Sequence, residues 1–134
     1  MTKTTSIPEK EMTLILIIDD AAFSRRMIRK CLQADSYEIL EAATGQEGLE
    51  AAIAQHPDCI LTDLLMPDMD GLEMLKVLQE KKIMIPVVII SADIQDGTRN
   101  RGFELGAKAF INKPPKEEEL RKTVRQILAQ GQKV

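Results

Sequence analysis

Five polar residues each stand at or just beyond the end of an apolar run. Asp19 and Asp20 follow Leu14-Ile15-Leu16-Ile17-Ile18, and Asp63 follows Cys59-Ile60-Leu61-Thr62. Ser91 follows Val87-Val88-Ile89-Ile90, and Lys113 comes shortly after Ala109-Phe110-Ile111. Apolar runs of this length without alternation suit strands buried on both faces, as in a parallel sheet. In such a sheet every C-terminal end points the same way, so residues far apart in sequence meet at one edge, where open α/β sheets bind ligands. Carboxylates crowded there repel one another, and a cation should offset them. Oxygen donors and a need for open positions suggest Mg²⁺. Lys113 and the Ser91 hydroxyl are then on hand for an anion.

That set has a definite chemistry. A carboxylate can act as a nucleophile toward phosphorus and form an aspartyl phosphate. Metal and lysine neutralise the oxygens of a transferring phosphoryl group, and the hydroxyl donates to another oxygen. Asp63 is already ionised at neutral pH, so no histidine base is required. No residue of the set is a base for activating water, so the product would persist. A site that takes a phosphoryl group and holds it is a switch more than a turnover catalyst.

The elements that must position these groups alternate strand and helix. Strands are expected at Leu14–Ile18, Tyr37–Leu40, Cys59–Thr62, Val87–Ile90 and Ala109–Ile111. A helix over Ala22–Ala34 places Phe23, Met27, Ile28, Cys31 and Leu32 on one apolar face, with Arg25, Arg26, Arg29 and Lys30 elsewhere. Thr44 reads as an N-cap with Glu47 completing a capping box, for a helix through Ile53. Leu72, Leu75 and Leu78 mark a helix over Gly71–Lys82. A fourth helix, starting at Ile94 or Gln95 and running to Leu105, ends at Gly106, a suitable C′ glycine. The last helix runs from about Lys116 to Ala129, with three glutamates in its first turn and Pro114 or Pro115 near N1. Five βα units imply a parallel sheet, helices on both faces and right-handed crossovers.

Composition bounds the rest. The chain has 134 residues, 44% of them hydrophobic but only 3% aromatic, so aliphatic side chains must fill the core of one domain. A formal charge of −3 and scattered basic residues argue against a nucleic-acid surface. No apolar run reaches the ~18 residues of a membrane span, and the polar start does not suit a signal peptide, so a cytoplasmic location is expected. Residues 1–12 read as a flexible tail, 13–130 as the domain and 131–134 as a C-terminal tail. Cys31 and Cys59 lack CxxC spacing and read as small core residues. His56 reads as an exposed turn residue, and Asp68 and Asp70 as acids that solvate a turn.

With these motifs in order, the sequence resembles the receiver domains of two-component response regulators, the CheY-like group. The likeness covers about Thr13 to Leu128. It rests on Asp19-Asp20, on Asp63 within D-x-x-M-P-x-x-x-G, on Ser91-Ala92, and on Phe110-Ile111-Asn112-Lys113-Pro114. The resemblance implies a flavodoxin-like five-stranded sheet of order 2-1-3-4-5. It implies that Asp63 is the phosphoacceptor and that Mg²⁺ is held by Asp20, Asp63 and the backbone carbonyl of Leu65, with Asp19 acting through water. Lys113 would pair with Asp63 and then with the phosphoryl group. Ser91 and Phe110 would form the switch, and the Lys113-Pro114 bond would be cis. Leu65 stands where the family often has a polar residue, so slow self-dephosphorylation is expected.

Taken singly, each residue has a plainer reading. Asp63 could be a turn acid, Asp19-Asp20 helix caps, Ser91 a cap hydroxyl, Lys113 a solvated lysine and Phe110 core. Their joint placement favours a single-domain response regulator. Its donor would be a phosphohistidine on a histidine kinase or phosphotransfer protein. A phosphatase is a further possible partner. Output would go through protein contact at the fourth helix, fifth strand and fifth helix, in chemotaxis or another phosphorelay. The alternatives are an aspartyl-nucleophile phosphohydrolase, disfavoured because no acid lies two residues past Asp63, and a non-phosphorylated interaction module of the same fold.

Overall fold

A computed structural model describes residues 12–92 and 94–131. The N-terminal tail other than Met12, the residue Asp93 and the tail from 132 onward lie outside the described residues. The elements are β1 (Leu14–Ile18), α1 (Ala22–Cys31), β2 (Glu38–Ala42), α2 (Gly45–Gln55), β3 (Cys59–Thr62), α3 (Gly71–Glu80), β4 (Val87–Ser91), α4 (Asp96–Glu104), β5 (Ala107–Asn112) and α5 (Glu117–Gly131). All strand pairs are parallel, and the order is β2-β1-β3-β4-β5, the flavodoxin-like arrangement.

Strand alternation divides the core into two layers. Leu16, Ile18, Ile60 and Ile89 face Leu49 and Ala52 of α2 and Met74, Leu75 and Leu78 of α3. Ile15, Ile17, Leu61, Val88 and Ile90 face Ile28 of α1 and Leu120, Val124 and Ile127 of α5. The central strands are therefore apolar up to their last residues, where Thr62 and Ser91 stand, since each face meets a helix layer.

Several boundaries differ from the sequence reading. The second strand lies later, because pairing of Leu14 with Glu38 and Ile18 with Ala42 sets its register. It is an edge strand and its pattern is mixed, which blurs its bounds in the sequence. Helix α1 stops at Cys31, with Leu32 as its C-cap. Phe23 does not join its buried face and is 67% exposed, because it sits in the first turn, beyond the end of the sheet. Helix α5 begins at Glu117, so neither Pro114 nor Pro115 occupies N1. The Lys113-Pro114 peptide is cis. Gly106 has φ +106° directly after α4's C-cap, Leu105, the left-handed conformation expected of a C′ glycine. His56 is exposed with φ 50° and closes α2. Cys59 is buried and its thiol is pushed up to about 12, chiefly by burial, so it is core and not a reactive group.

Candidate functional site

The C-terminal ends of β1, β3, β4 and β5 converge as the topology requires. Backbone bonds fix their relative heights. The Asp63 amide donates to the Ile18 carbonyl at 2.9 Å, the Asp19 amide to Ala42 at 3.1 Å, and the Lys113 amide to Ser91 at 2.9 Å. Asp19, Asp63 and Lys113 thus each still pair with a neighbouring strand one residue past the end of their own.

Lys113 is the centre of the side-chain cluster. Its Nζ donates to Asp19 Oδ2 at 2.7 Å and to Asp63 Oδ2 at 3.1 Å. Burial pulls the ammonium group down, but the two hydrogen-bonded carboxylates outweigh it and hold Lys113 above its ordinary value. Asp19 is almost wholly enclosed, with its side chain 1% exposed, and Asp63 is 12% exposed. The other oxygen of each is also engaged: Asp19 Oδ1 accepts from the Ala21 amide at 2.9 Å, and Asp63 Oδ1 from the Leu64 amide at 2.7 Å. Asp20 is exposed beside them. It does not cap α1, whose N-cap is Ala21 with no side-chain cap bond, and the carboxylate that reaches into this turn is that of Asp19.

Asp19, Asp20 and Asp63 each offer an oxygen within 4.8 Å of the others. Three carboxylates against one ammonium leave the cluster with an excess of negative charge in a partly enclosed place. The donors are all hard oxygens, with no thiolate or imidazole among them. That donor set fits Mg²⁺ and not a thiophilic metal. Arg25 reinforces the same corner from α1: its Nη1 donates to the Asp19 carbonyl at 2.6 Å and its Nε to Glu41 at 2.9 Å.

The loop after Asp63 is held on several sides. Leu64 and Met66 are buried, and the Gly71 amide donates to the Leu64 carbonyl at 2.7 Å. Gly71 itself is needed for close approach, since a Cβ there would lie 3.0 Å from the Asp63 carbonyl oxygen and 3.1 Å from Ile89 Cδ1. This accounts for the terminal glycine of the motif. Leu65, by contrast, is 66% exposed. Ser91 is buried at the last position of β4, and Phe110 is buried beneath α4.

Sequence reasoning missed what Asp68 and Asp70 do. Asp68 accepts from the amides of Gly45 at 3.0 Å and Gln46 at 2.8 Å, so it ties the loop to the N-terminus of α2. Those two amides hold its carboxyl below the usual range. Asp70 forms a capping box with Glu73, its Oδ1 accepting at 2.8 Å and its amide donating to Glu73 at 3.0 Å. The D-x-x-E spacing was a readable signal for Asp70. For Asp68 there was none, since its partners lie more than twenty residues away. At Thr44 the cap is present, but Glu47 returns to the Ala43 amide instead of that of Thr44.

Comparison with known proteins gives a consistent picture. The family model described as "Response regulator receiver domain" matches residues 15–125. The transcriptional regulatory protein SrrA of Staphylococcus aureus is 41% identical over 109 residues, 80% of this chain and 45% of that protein. The chain therefore spans about half the length of the relatives it matches. Among solved structures, the Francisella response regulator 1452 receiver domain aligns with a TM-score of 0.84 at 26% identity, over 90% of this chain and 99% of that one. The chemotaxis protein CheY4 of Vibrio cholerae aligns with a TM-score of 0.80 at 30% identity, over 87% of this chain and 98% of that one. Among the described residues no helix is long and apolar enough to cross a membrane.

Proposed function

The chain belongs to the response regulator receiver domain family, whose members act as phosphorylation-dependent switches, and on that premise we propose that Asp63 accepts a phosphoryl group from a protein phosphohistidine. The observation that carries this reading is the bridge of Lys113 Nζ between Asp19 and Asp63, with Asp20 in reach. An Asp63 oxygen attacks phosphorus in line. The O–P bond forms, the P–N bond breaks, and the imidazole nitrogen leaves with the bonding pair and is then protonated from water.

Lys113 and Asp19 do the local work. Lys113 already contacts the attacking carboxylate, so it can follow charge as it moves onto the phosphoryl oxygens without a large displacement. Asp19 holds that ammonium in place from a buried position, and Arg25 fixes the Asp19 backbone. Mg²⁺, bound by Asp20, Asp63 and the Leu65 carbonyl with Asp19 acting through water, would supply the remaining neutralisation of the phosphoryl oxygens. Ser91 would donate its hydroxyl to the group once transferred, and Phe110 would report the change to the surface of α4, β5 and α5. The donor would be a histidine kinase or phosphotransfer protein, and output would be an altered protein contact in a chemotaxis or other phosphorelay system.

The exposed Leu65 side chain supports slow loss of the phosphoryl group, since it offers water no hydrogen bond at the lip of the site. Leu65→Asn should shorten the half-life of the phosphorylated protein, and an unchanged decay would refute this role. The central test is incubation with acetyl phosphate and Mg²⁺ followed by intact mass and peptide mapping. One phosphoryl group on Asp63, absent in Asp63→Asn and with chelator, is the expected result. Label elsewhere, or label independent of metal, would overturn the reading. Continuous turnover of acetyl phosphate with no retained label would favour the phosphohydrolase alternative.

A further inference from the structure

Helix α2 is capped from another part of the chain. The amides of Gly45, Gln46 and Glu47 open the helix and have no carbonyl within it to receive them. Thr44 takes only the Glu47 amide, at 3.0 Å. The other two go to Asp68, one to each carboxylate oxygen, at 3.0 and 2.8 Å. Asp68 belongs to the loop between β3 and α3, so one carboxylate is both a cap for α2 and a clamp on the loop that follows Asp63. Helix and loop also meet without a side chain between them. A Cβ at Gly45 would lie 2.7 Å from the Met69 carbonyl oxygen and 2.7 Å from Met69 Cβ, so only glycine lets them close. The loop is thus held twice. The Gly71 amide and Leu64 carbonyl fix its α3 side, and Asp68 and Met69 fix its α2 side. Leu65 lies between these two supports, and its side chain, 66% exposed, does little to orient its own backbone.

We propose that Asp68 is a positioning residue for the Leu65 carbonyl, so that the start of α2 helps set the affinity of the site for Mg²⁺. The inference rests on the metal assignment made under the proposed function and deepens it. The physical reason is orientation. A carbonyl serves as a ligand only when its peptide plane is turned toward the ion, and Mg²⁺ tolerates little departure from octahedral geometry. Groups that hold a ligand in place therefore weigh on affinity although they never touch the metal. Without the Asp68 carboxylate the Gly45 and Gln46 amides must turn to water. Water there needs room between helix and loop, and the loop gains the freedom that the clamp had removed.

The test is titration of the full chain with Mg²⁺ alone, without a phosphodonor, followed by the amide NMR shifts of Asp63 to Met66. Asp68→Ala should raise the Mg²⁺ dissociation constant about tenfold. Asp68→Asn loses the same charge but keeps one acceptor oxygen, and should stay within about threefold of the parent. Thr44→Ala removes a cap from the same helix, one whose acceptor serves the helix and not the loop. It should lower the urea midpoint much as Asp68→Ala does, yet leave Mg²⁺ affinity within about 1.5-fold. Equal weakening in Asp68→Ala and Asp68→Asn would mean that charge alone acts, and would overturn the proposal. So would a loss of affinity in Thr44→Ala as large as that in Asp68→Ala. The parent protein separates this proposal from the reading beneath it. A parent that shows no Mg²⁺-dependent shift rejects the metal assignment and the proposal together. A parent that binds Mg²⁺, with Asp68→Ala binding it equally well, rejects the role of Asp68 and keeps the metal site.

Discussion

Helices α3 and α4 are neighbours on one face of the sheet and are held there by very different means. Helix α3 buries Gly71, Met74, Leu75 and Leu78 and begins with a complete capping box. Helix α4 buries Gly102 alone and begins without a side-chain cap. The first follows the strand that ends just before Asp63, and the second follows the strand that ends in Ser91. On the proposed reading, the residue that receives the phosphoryl group is followed by a firmly held helix, and the residue that senses it by a lightly held one. Differences of this kind are where local stability and local motion separate within one fold.

The largest effects should come from the α3 side. Met74 is fully buried, so Met74→Ala should remove about 2–4 kcal/mol of stability, read as a lower urea midpoint with unchanged slope. Phe103 on α4 is 45% exposed and contributes an edge contact, so Phe103→Ala should cost at most about 1 kcal/mol. Equal losses from the two substitutions would erase the distinction between the helices. The caps give the next rank. Asp70→Ala should cost about 1 kcal/mol by leaving the first amides of α3 without their acceptor. Gln95→Asp should do the opposite at α4, adding about 0.5 kcal/mol and slowing exchange of its first-turn amides. If Gln95→Asp stabilises α4 without lowering its response to acetyl phosphate, the low anchoring of that helix is incidental to switching.

The contrast was only half legible in the sequence. Leu72, Leu75 and Leu78 announced α3 by spacing, and Asp63, Pro67 and Gly71 announced the loop that precedes it. The sheet order came from resemblance, because short apolar runs carry no information about which strand lies beside which. Helix α4 is marked in the sequence chiefly by Gly106 at its end, since Asp96–Glu104 has little apolar periodicity to read. The close approach of Gly102 to Phe110 is a pairing that no local pattern reveals. The same holds for Asp68, whose partners belong to another helix. What chemistry needs at a strand end is readable residue by residue. What holds a loop or helix in place is a tertiary relation, and the sequence records only one partner at a time.

The smallest expected effect lies on the opposite face and serves as the control for this contrast. Asp35, just beyond α1, accepts from Arg121 Nε and Nη2 at 3.3 Å and from Arg125 Nη2 at 3.0 Å, tying that loop to α5. The Arg121 hydrogen bond, with help from Arg125, holds the Asp35 carboxyl below its ordinary value of 3.8. A carboxyl whose folded-state value is depressed stabilises the fold fully above its unfolded value and loses that contribution as pH falls through the folded one. The stability gap between the parent protein and Asp35→Ala should therefore be constant above about pH 5 and close progressively in more acidic urea titrations. The pair is partly open to solvent, so the gap should also shrink with added salt. Because the contact joins α1's end to α5, α4 exchange should be the same in both proteins across that range. An α4 that loosened in Asp35→Ala would mean that stability on the two faces is shared, and the separation of α3 from α4 would then reflect global stability and not how each helix is held.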